Sequence, residues 1–149
     1  MKEITASLED YLEAIYQILQ EHPVARVKEI SRRLQVTNAS VVGALRHLRE
    51  QGLVEQEPYG YIHLTEQGEK IAREISSRHQ ALKEFFQEVL ELGEEVADGD
   101  ACRTEHSLSP ETIERIIILG EFFKRNPSLK DKLAQEFKKK KKPKAREKK

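Results

Sequence analysis

Cys102, Glu105 and His106 stand at i, i+3 and i+4 in the stretch DGDACRTEH. On a helix those positions project from one face. A thiolate, a carboxylate and an imidazole held together form a divalent-metal ligand set of mixed softness. His79 is a second candidate. It interrupts the apolar stripe Ile71, Ile75, Leu82 and Phe86 where an inward-facing side chain is expected, although a lone histidine there also fits a satisfied core residue. Asp10 and Glu13 are a third, at i and i+3 off the main apolar face of another helical segment. Acidic pairs at that spacing are commonly only solvated.

A second kind of chemistry lies between residues 22 and 64. Helix, short turn, helix and two-stranded hairpin follow one another, which is the winged helix-turn-helix pattern. The second helix of such a module enters a major groove with its N-terminal residues on base edges. Thr37, Asn38, Ala39, Ser40 and Gly43 fall there, with Arg46, His47 and Arg49 one to three turns on. Asparagine can bond adenine in two places, serine and threonine serve bases or phosphates, and glycine allows close approach. Arg46 and Arg49 are expected to face phosphates. Glu55, Glu57, Tyr59, Tyr61 and His63 are poorly suited to phosphate contact, so the wing is expected to add little affinity.

The elements that must position these residues are mostly helical. Leu8, Tyr11, Leu12, Ile15, Tyr16, Ile18 and Leu19 predict a helix over 7–21, capped by Ser7 and ended before Pro23. A second helix is predicted over 27–34. A third starts at Thr37 or Asn38, carries Val41, Val42, Leu45 and Leu48, and stops at Gly52. The period then changes to strand, turn and strand around Pro58-Tyr59-Gly60. A long helix follows Thr65 and runs to about Leu92. Residues 93–99 read as a loop or a weak turn and 101–108 as a short helix. Ser109-Pro110 opens a further helix, Asn126-Pro127 ends it, and Leu129, Leu133 and Phe137 make a last amphipathic turn or two. The fold expected is mainly α: a winged helix-turn-helix domain over 1–70, an all-helical metal-binding and dimerisation domain over 71–137, and a disordered basic tail over 138–149.

The chain of 149 residues carries 26 Lys/Arg and 26 Asp/Glu, and its zero net charge conceals a polarity. Residues 138–149 carry +8 and residues 1–137 carry −8, while residues 22–64 alone carry +2. The structured basic excess therefore coincides with the helix-turn-helix pattern. The single cysteine excludes an internal disulfide and fits a reducing, cytoplasmic setting; no membrane span or secretory signal is expected. A Cys102–His106 nucleophile and base on one short helix would lack oxyanion donors, and there is no Gly-rich phosphate loop, so an enzyme is not expected.

The segments SLEDYLEAIYQI, LTEQGEKIAREISSRHQALKEFF and DGDACRTEHSLSPETIERI, with the winged helix between the first two, resemble the diphtheria toxin repressor family of metal-dependent repressors over about residues 7–125. The resemblance implies a homodimer that binds double-stranded operator DNA when Fe(II) or Mn(II) is bound. It implies Asp10, Glu13, His79, Cys102, Glu105 and His106 as ligands. Asp10 matches the manganese-responsive type and Cys102 the iron-responsive type. Lys83 and Asp98 stand where iron-type members carry a carboxylate and a histidine of an ancillary metal site, so that version of the site is expected to be lost. The SH3-like domain of longer members is not expected. Zn(II), Co(II) and Ni(II) should bind in vitro at least as well as Fe(II) or Mn(II). A winged-helix regulator that senses a small molecule without metal is the alternative.

Overall fold

Thr5, not Ser7, starts the first helix. Its hydroxyl accepts from the Leu8 amide at 3.3 Å, so α1 spans Ala6–Glu21 in the computed structural model, which describes residues 4–141. The hydroxyl of Thr5 has extended backbone behind it, the geometry an N-cap needs. α2 spans Val27–Leu34 and ends on Gln35 in the left-handed region, and α3 spans Asn38–Glu50. Gly52, at φ 70°, turns the chain out of α3 into β1, Val54–Gln56. β2, Ile62–Leu64, pairs antiparallel with it, Val54 opposite Leu64 and Gln56 opposite Ile62. Gly60, at φ 81°, supplies the left-handed residue of the intervening turn. Ala25 bridges Ile62 as well, so the hairpin is stitched to the segment between α1 and α2.

Leu12, Ile15, Ile30, Val41, Leu45, Leu48, Leu53 and Ile62 are all buried in one cluster with Ala72 and Ile75. That cluster is the core of the first unit, and it fixes α3 by its inner face while leaving the opposite face in solvent. Thr65 closes the hairpin. Its hydroxyl donates to the Gly52 carbonyl at 2.7 Å and accepts from the Gly68 amide at 3.0 Å, which starts the long helix α4, Glu66–Glu88.

The chain divides into two compact units within α4, between Ser77 and Arg78, whereas the sequence placed the boundary between Lys70 and Ile71. The second unit comprises the rest of α4 with α5 (Glu94–Thr104), α6 (Pro110–Arg125) and α7 (Pro127–Lys141). Leu82, Val89, Ala97, Ala101, Ile113 and Ala134 are its buried apolar residues. Lys130 reaches Glu88 at 2.8 Å and ties α7 to α4.

Three boundaries correct the sequence reading. α4 ends at Glu88 rather than near Leu92. The loop expected over 93–99 is the first half of α5: Gly93 is its N-cap with extended backbone, and Glu94 and Glu95 favour the positive end of the helix dipole. Gly99 lies inside that helix, with the Arg103 guanidinium 3.3 Å from where a Cβ would stand. The final turn or two is instead a helix that includes residues 138–141, so the first four lysines of the expected disordered tail are helical. The remaining tail, 142–149, lies outside the described residues. Among the described residues no helix is long and apolar enough to cross a membrane.

Candidate metal centre and nucleic-acid interface

α4 carries His79, and the end of α5 carries Glu105 and His106. Glu105 is the C-cap residue of α5 and is wholly buried, with a relative exposure of 0%. A carboxylate held there needs compensation, because desolvation penalises its charge. Two imidazoles supply part of it. Glu105 Oε2 lies 2.8 Å from His79 Nδ1, and Glu105 Oε1 lies 3.2 Å from His106 Nε2. The Oε1 contact does not have hydrogen-bond geometry, and among the described residues that buried oxygen has no hydrogen-bond partner. A buried acceptor left unpaired costs about 1–3 kcal/mol. An anionic oxygen flanked by two imidazole nitrogens is a donor set that suits a divalent transition metal.

Cys102 shares α5 with this pair but is exposed, unlike Glu105 and His106. The helix ends at Thr104, so the i, i+3 and i+4 positions do not present one uniformly buried face. The structure thus brings His79, Glu105 and His106 together and leaves Cys102 at the surface. In the first unit, α1 carries Asp10, half-buried, and Glu13, buried. Glu13 Oε1 accepts from the Gln17 side chain at 3.2 Å.

Two residues that the sequence treated as losses complete the surroundings of His79. Its Nε2 lies 3.1 Å from Asp98 Oδ1, and Lys83 Nζ lies 3.0 Å from that same oxygen. Lys83 also reaches Glu94 at 3.5 Å. Hydrogen bonds from the His79 ring and then from Lys83 hold the Asp98 carboxyl below the usual carboxylate range. The bond to Asp98 in turn raises the Lys83 ammonium above its ordinary value. The signal was present in the sequence: His79/Lys83 and Glu94/Asp98 are both i, i+4 pairs, one basic and one acidic.

The helix-turn-helix residues sit on α3. Thr37 is its N-cap; the hydroxyl accepts from the Ser40 amide at 3.1 Å and meets the Ser40 hydroxyl at 2.9 Å. That hydroxyl therefore serves the helix start. Asn38, Ala39, Ser40, Arg46, His47 and Arg49 are exposed. His47 pairs with Glu50 at 3.5 Å. Gly43 has open space around a hypothetical Cβ, with no atom within 4 Å. In the wing, His63 pairs with Glu57 at 3.0 Å, and Arg26 stacks 5.0 Å from the Tyr61 ring centre. Tyr59, at the turn, is 88% exposed.

Residues 3–62 match the family model for the iron dependent repressor N-terminal DNA binding domain, and residues 65–134 match that for the iron dependent repressor metal binding and dimerisation domain. The chain is 38% identical over 123 residues to an uncharacterized HTH-type transcriptional regulator of Methanocaldococcus jannaschii, covering 81% of this chain and 98% of the relative. It is 33% identical over 126 residues to the HTH-type transcriptional regulator MntR of Bacillus subtilis, covering 85% and 88%. Among solved structures, T. acidophilum IdeR superposes with a TM-score of 0.68 at 27% identity, covering 78% of this chain and 54% of that one. A manganese-dependent transcriptional repressor in complex with manganese gives 0.70 at 28% identity, covering 77% and 53%. The chain therefore spans about half the length of those solved chains. With a DNA-binding model over one unit, a metal-binding and dimerisation model over most of the other, and transcriptional regulators rather than enzymes as its relatives, the chain belongs to the iron-dependent repressor family of metal-dependent transcriptional regulators.

Proposed function

We propose that the protein is a homodimeric, cytoplasmic repressor that binds double-stranded operator DNA when loaded with Fe(II) or Mn(II), and so controls genes of metal homeostasis. The observation that carries this reading is Glu105, a wholly buried carboxylate with His79 on one oxygen and His106 beside the other. Such a carboxylate is expensive to keep unless a cation is its purpose. His79, Glu105 and His106 would hold the metal, with Cys102 as a further donor, and the resemblance adds Asp10 and Glu13 from α1. Bound there, the cation supplies positive charge that relieves repulsion among these anionic groups.

The chain's own residues do the rest. Imidazole and thiol donors must release protons to ligate, so affinity falls at low pH. The α3 residues Asn38, Ala39, Ser40 and Gly43 read base edges, and Arg46, His47 and Arg49 approach phosphates. Thr37 holds the start of that helix. Loading shifts the population towards the DNA-competent dimer, and DNA must tighten metal binding by the same factor.

The dimer reading rests on α6. Ile113 is its one buried residue among the described residues, whereas Ile117, Ile118, Leu119 and Phe122 are 44%, 57%, 44% and 43% exposed. Large apolar side chains left in solvent along one helix are characteristic of a protein contact. Ile113 itself fills the unit's own core.

The test is an anaerobic DNA-binding titration with each divalent metal on wild type and His79→Ala. Wild type should gain affinity by more than tenfold with Fe(II) or Mn(II), and His79→Ala should lose that gain. Operator affinity unchanged by chelator would overturn the reading in favour of a regulator that works without metal.

A further inference from the structure

His79 is held at both ring nitrogens, and the two sides differ in kind. On the Nδ1 side stands Glu105, buried, with His106 against its other oxygen. On the Nε2 side stands Asp98, which is half in solvent and already occupied by a cation of the protein's own, the Lys83 ammonium. Lys83 Nζ and His79 Nε2 share one carboxylate oxygen, at 3.0 and 3.1 Å. An ionised carboxylate can only accept, so the hydrogen in the Asp98 contact is carried by Nε2. Nδ1, 2.8 Å from the Glu105 carboxylate, faces the candidate ligand cluster, where a metal would take the place of the hydrogen it shares with Glu105. Carboxylates in this position raise the basicity of a ligating imidazole and lock its orientation.

We propose that Asp98, held in place by Lys83, is the positioning carboxylate of His79: it takes the Nε2 hydrogen and directs Nδ1 at Glu105 as the metal-ligating nitrogen. The inference rests on the metal reading above. Lys83 has a second task in the same geometry. Its ammonium neutralises Asp98 and Glu94 and places positive charge where a cation on Nε2 would have to sit. The Nε2 side is thereby closed to metal, and the Lys83–Asp98 pair replaces a cation with a side chain.

His79 and Lys83 are one turn apart on α4, and Glu94 and Asp98 one turn apart on α5. The positions match, basic turn against acidic turn, so the same contacts that orient the imidazole also help hold α5 to α4.

The test uses the full chain with Zn(II), which is diamagnetic, as the probe. Nitrogen-correlated NMR of the histidine rings in chelator should show a His79 Nε2–H signal protected from exchange in wild type. Asp98→Ala should lose it with the helical circular dichroism unchanged. Zn(II) affinity, measured by competition with a chromophoric chelator, should fall 10–100-fold in Asp98→Ala. Lys83→Met should weaken binding in the same direction, and Lys83→Arg should restore it. A merely structural role would not move the Nε2 signal or be rescued this way. If Asp98→Ala keeps the signal and wild-type Zn(II) affinity, the positioning role is wrong while the metal centre stands. If wild type takes up no Zn(II), the metal centre and this inference fall together.

Discussion

Replacing Glu105 by methionine separates what this residue does for folding from what it does for binding. In the absence of metal the substitution has two opposed effects. It removes a buried oxygen that has no hydrogen bond among the described residues, relieving about 1–3 kcal/mol. It also removes the 2.8 Å contact to His79 Nδ1, a bond to an ionised acceptor that contributes about 1.5–3 kcal/mol. His79 and His106 are 13% and 10% exposed, so water can reach their rings and soften that loss. The terms cancel to within about 1 kcal/mol, a change of roughly 2–4 °C in Tm for a chain of this size. Metal-linked stabilisation behaves otherwise. At a free metal concentration of about 100 Kd a ligand that binds only the folded state adds about 2.7 kcal/mol, or roughly 5–11 °C. Glu105→Met should lose all of it. Thermal unfolding of wild type and variant, each in chelator and in excess Mn(II), measures both quantities. A variant that loses 3 kcal/mol or more in chelator, as expected when one partner of a well-compensated buried pair is removed, and keeps its response to Mn(II), would refute the reasoning.

Further outcomes follow from the geometry. Gly68→Ala places a Cβ 1.9 Å from the Leu53 carbonyl oxygen and should cost about 1–3 kcal/mol in urea denaturation, whereas Gly43→Ala meets open space and should gain about 0.5–1 kcal/mol. If Gly43 also allows close approach to DNA, its alanine variant should bind operator more weakly despite being more stable. Arg46→Ala should lower DNA affinity for all sequences alike and reduce the salt slope by about one, read by anisotropy over a salt series. Phe122→Glu, on the exposed face of α6, should shift the protein from dimer to monomer in light scattering at micromolar concentration. Lys130 holds the Glu88 carboxyl below its ordinary range, so their bond stabilises the fold above the unfolded carboxylate pKa and is lost as pH falls through the lower folded value. Lys130→Ala should therefore be less stable than wild type by a few tenths of a kcal/mol near neutrality, after solvent screening of this exposed pair, and equal to it once Glu88 is protonated.

Sequence reading succeeded where local chemistry and burial agree. Apolar spacing on α1, α2 and α3, the glycines after α3 and in the hairpin turn, and Ser109-Pro110 ahead of α6 each act within a few residues, so no packing knowledge was needed. It failed where a local signal has two uses. Gly93 and Gly99 are loop residues by composition, yet Gly93 caps α5 and Gly99 is carried within it. Ser7 is a sound cap, but Thr5 is one as well, and the backbone turns helical at the earlier of the two. The lysines from 138 to 141 read as tail because charge runs usually solvate, but α7 continues through them.

The candidate site divides along the same line. His79, Glu105 and His106 were visible from residue type and spacing, and the structure brings them together. What the sequence obscured is the meaning of Lys83 and Asp98. Each was read against a ligand pattern, and each counted as a ligand missing. Only the packing of α4 on α5 shows that the two residues compensate one another: Lys83 and Asp98 meet at 3.0 Å beside the His79 ring. The Lys83–Asp98 pair balances charge beside His79 with side chains of the protein's own. A histidine so balanced keeps one nitrogen committed to the protein and one directed at Glu105. For that reason the interior of the second unit should be judged by the whole chain of contacts Glu94–Lys83–Asp98–His79–Glu105, in which acidic and basic side chains alternate, and not by the tally of residues able to ligate a metal.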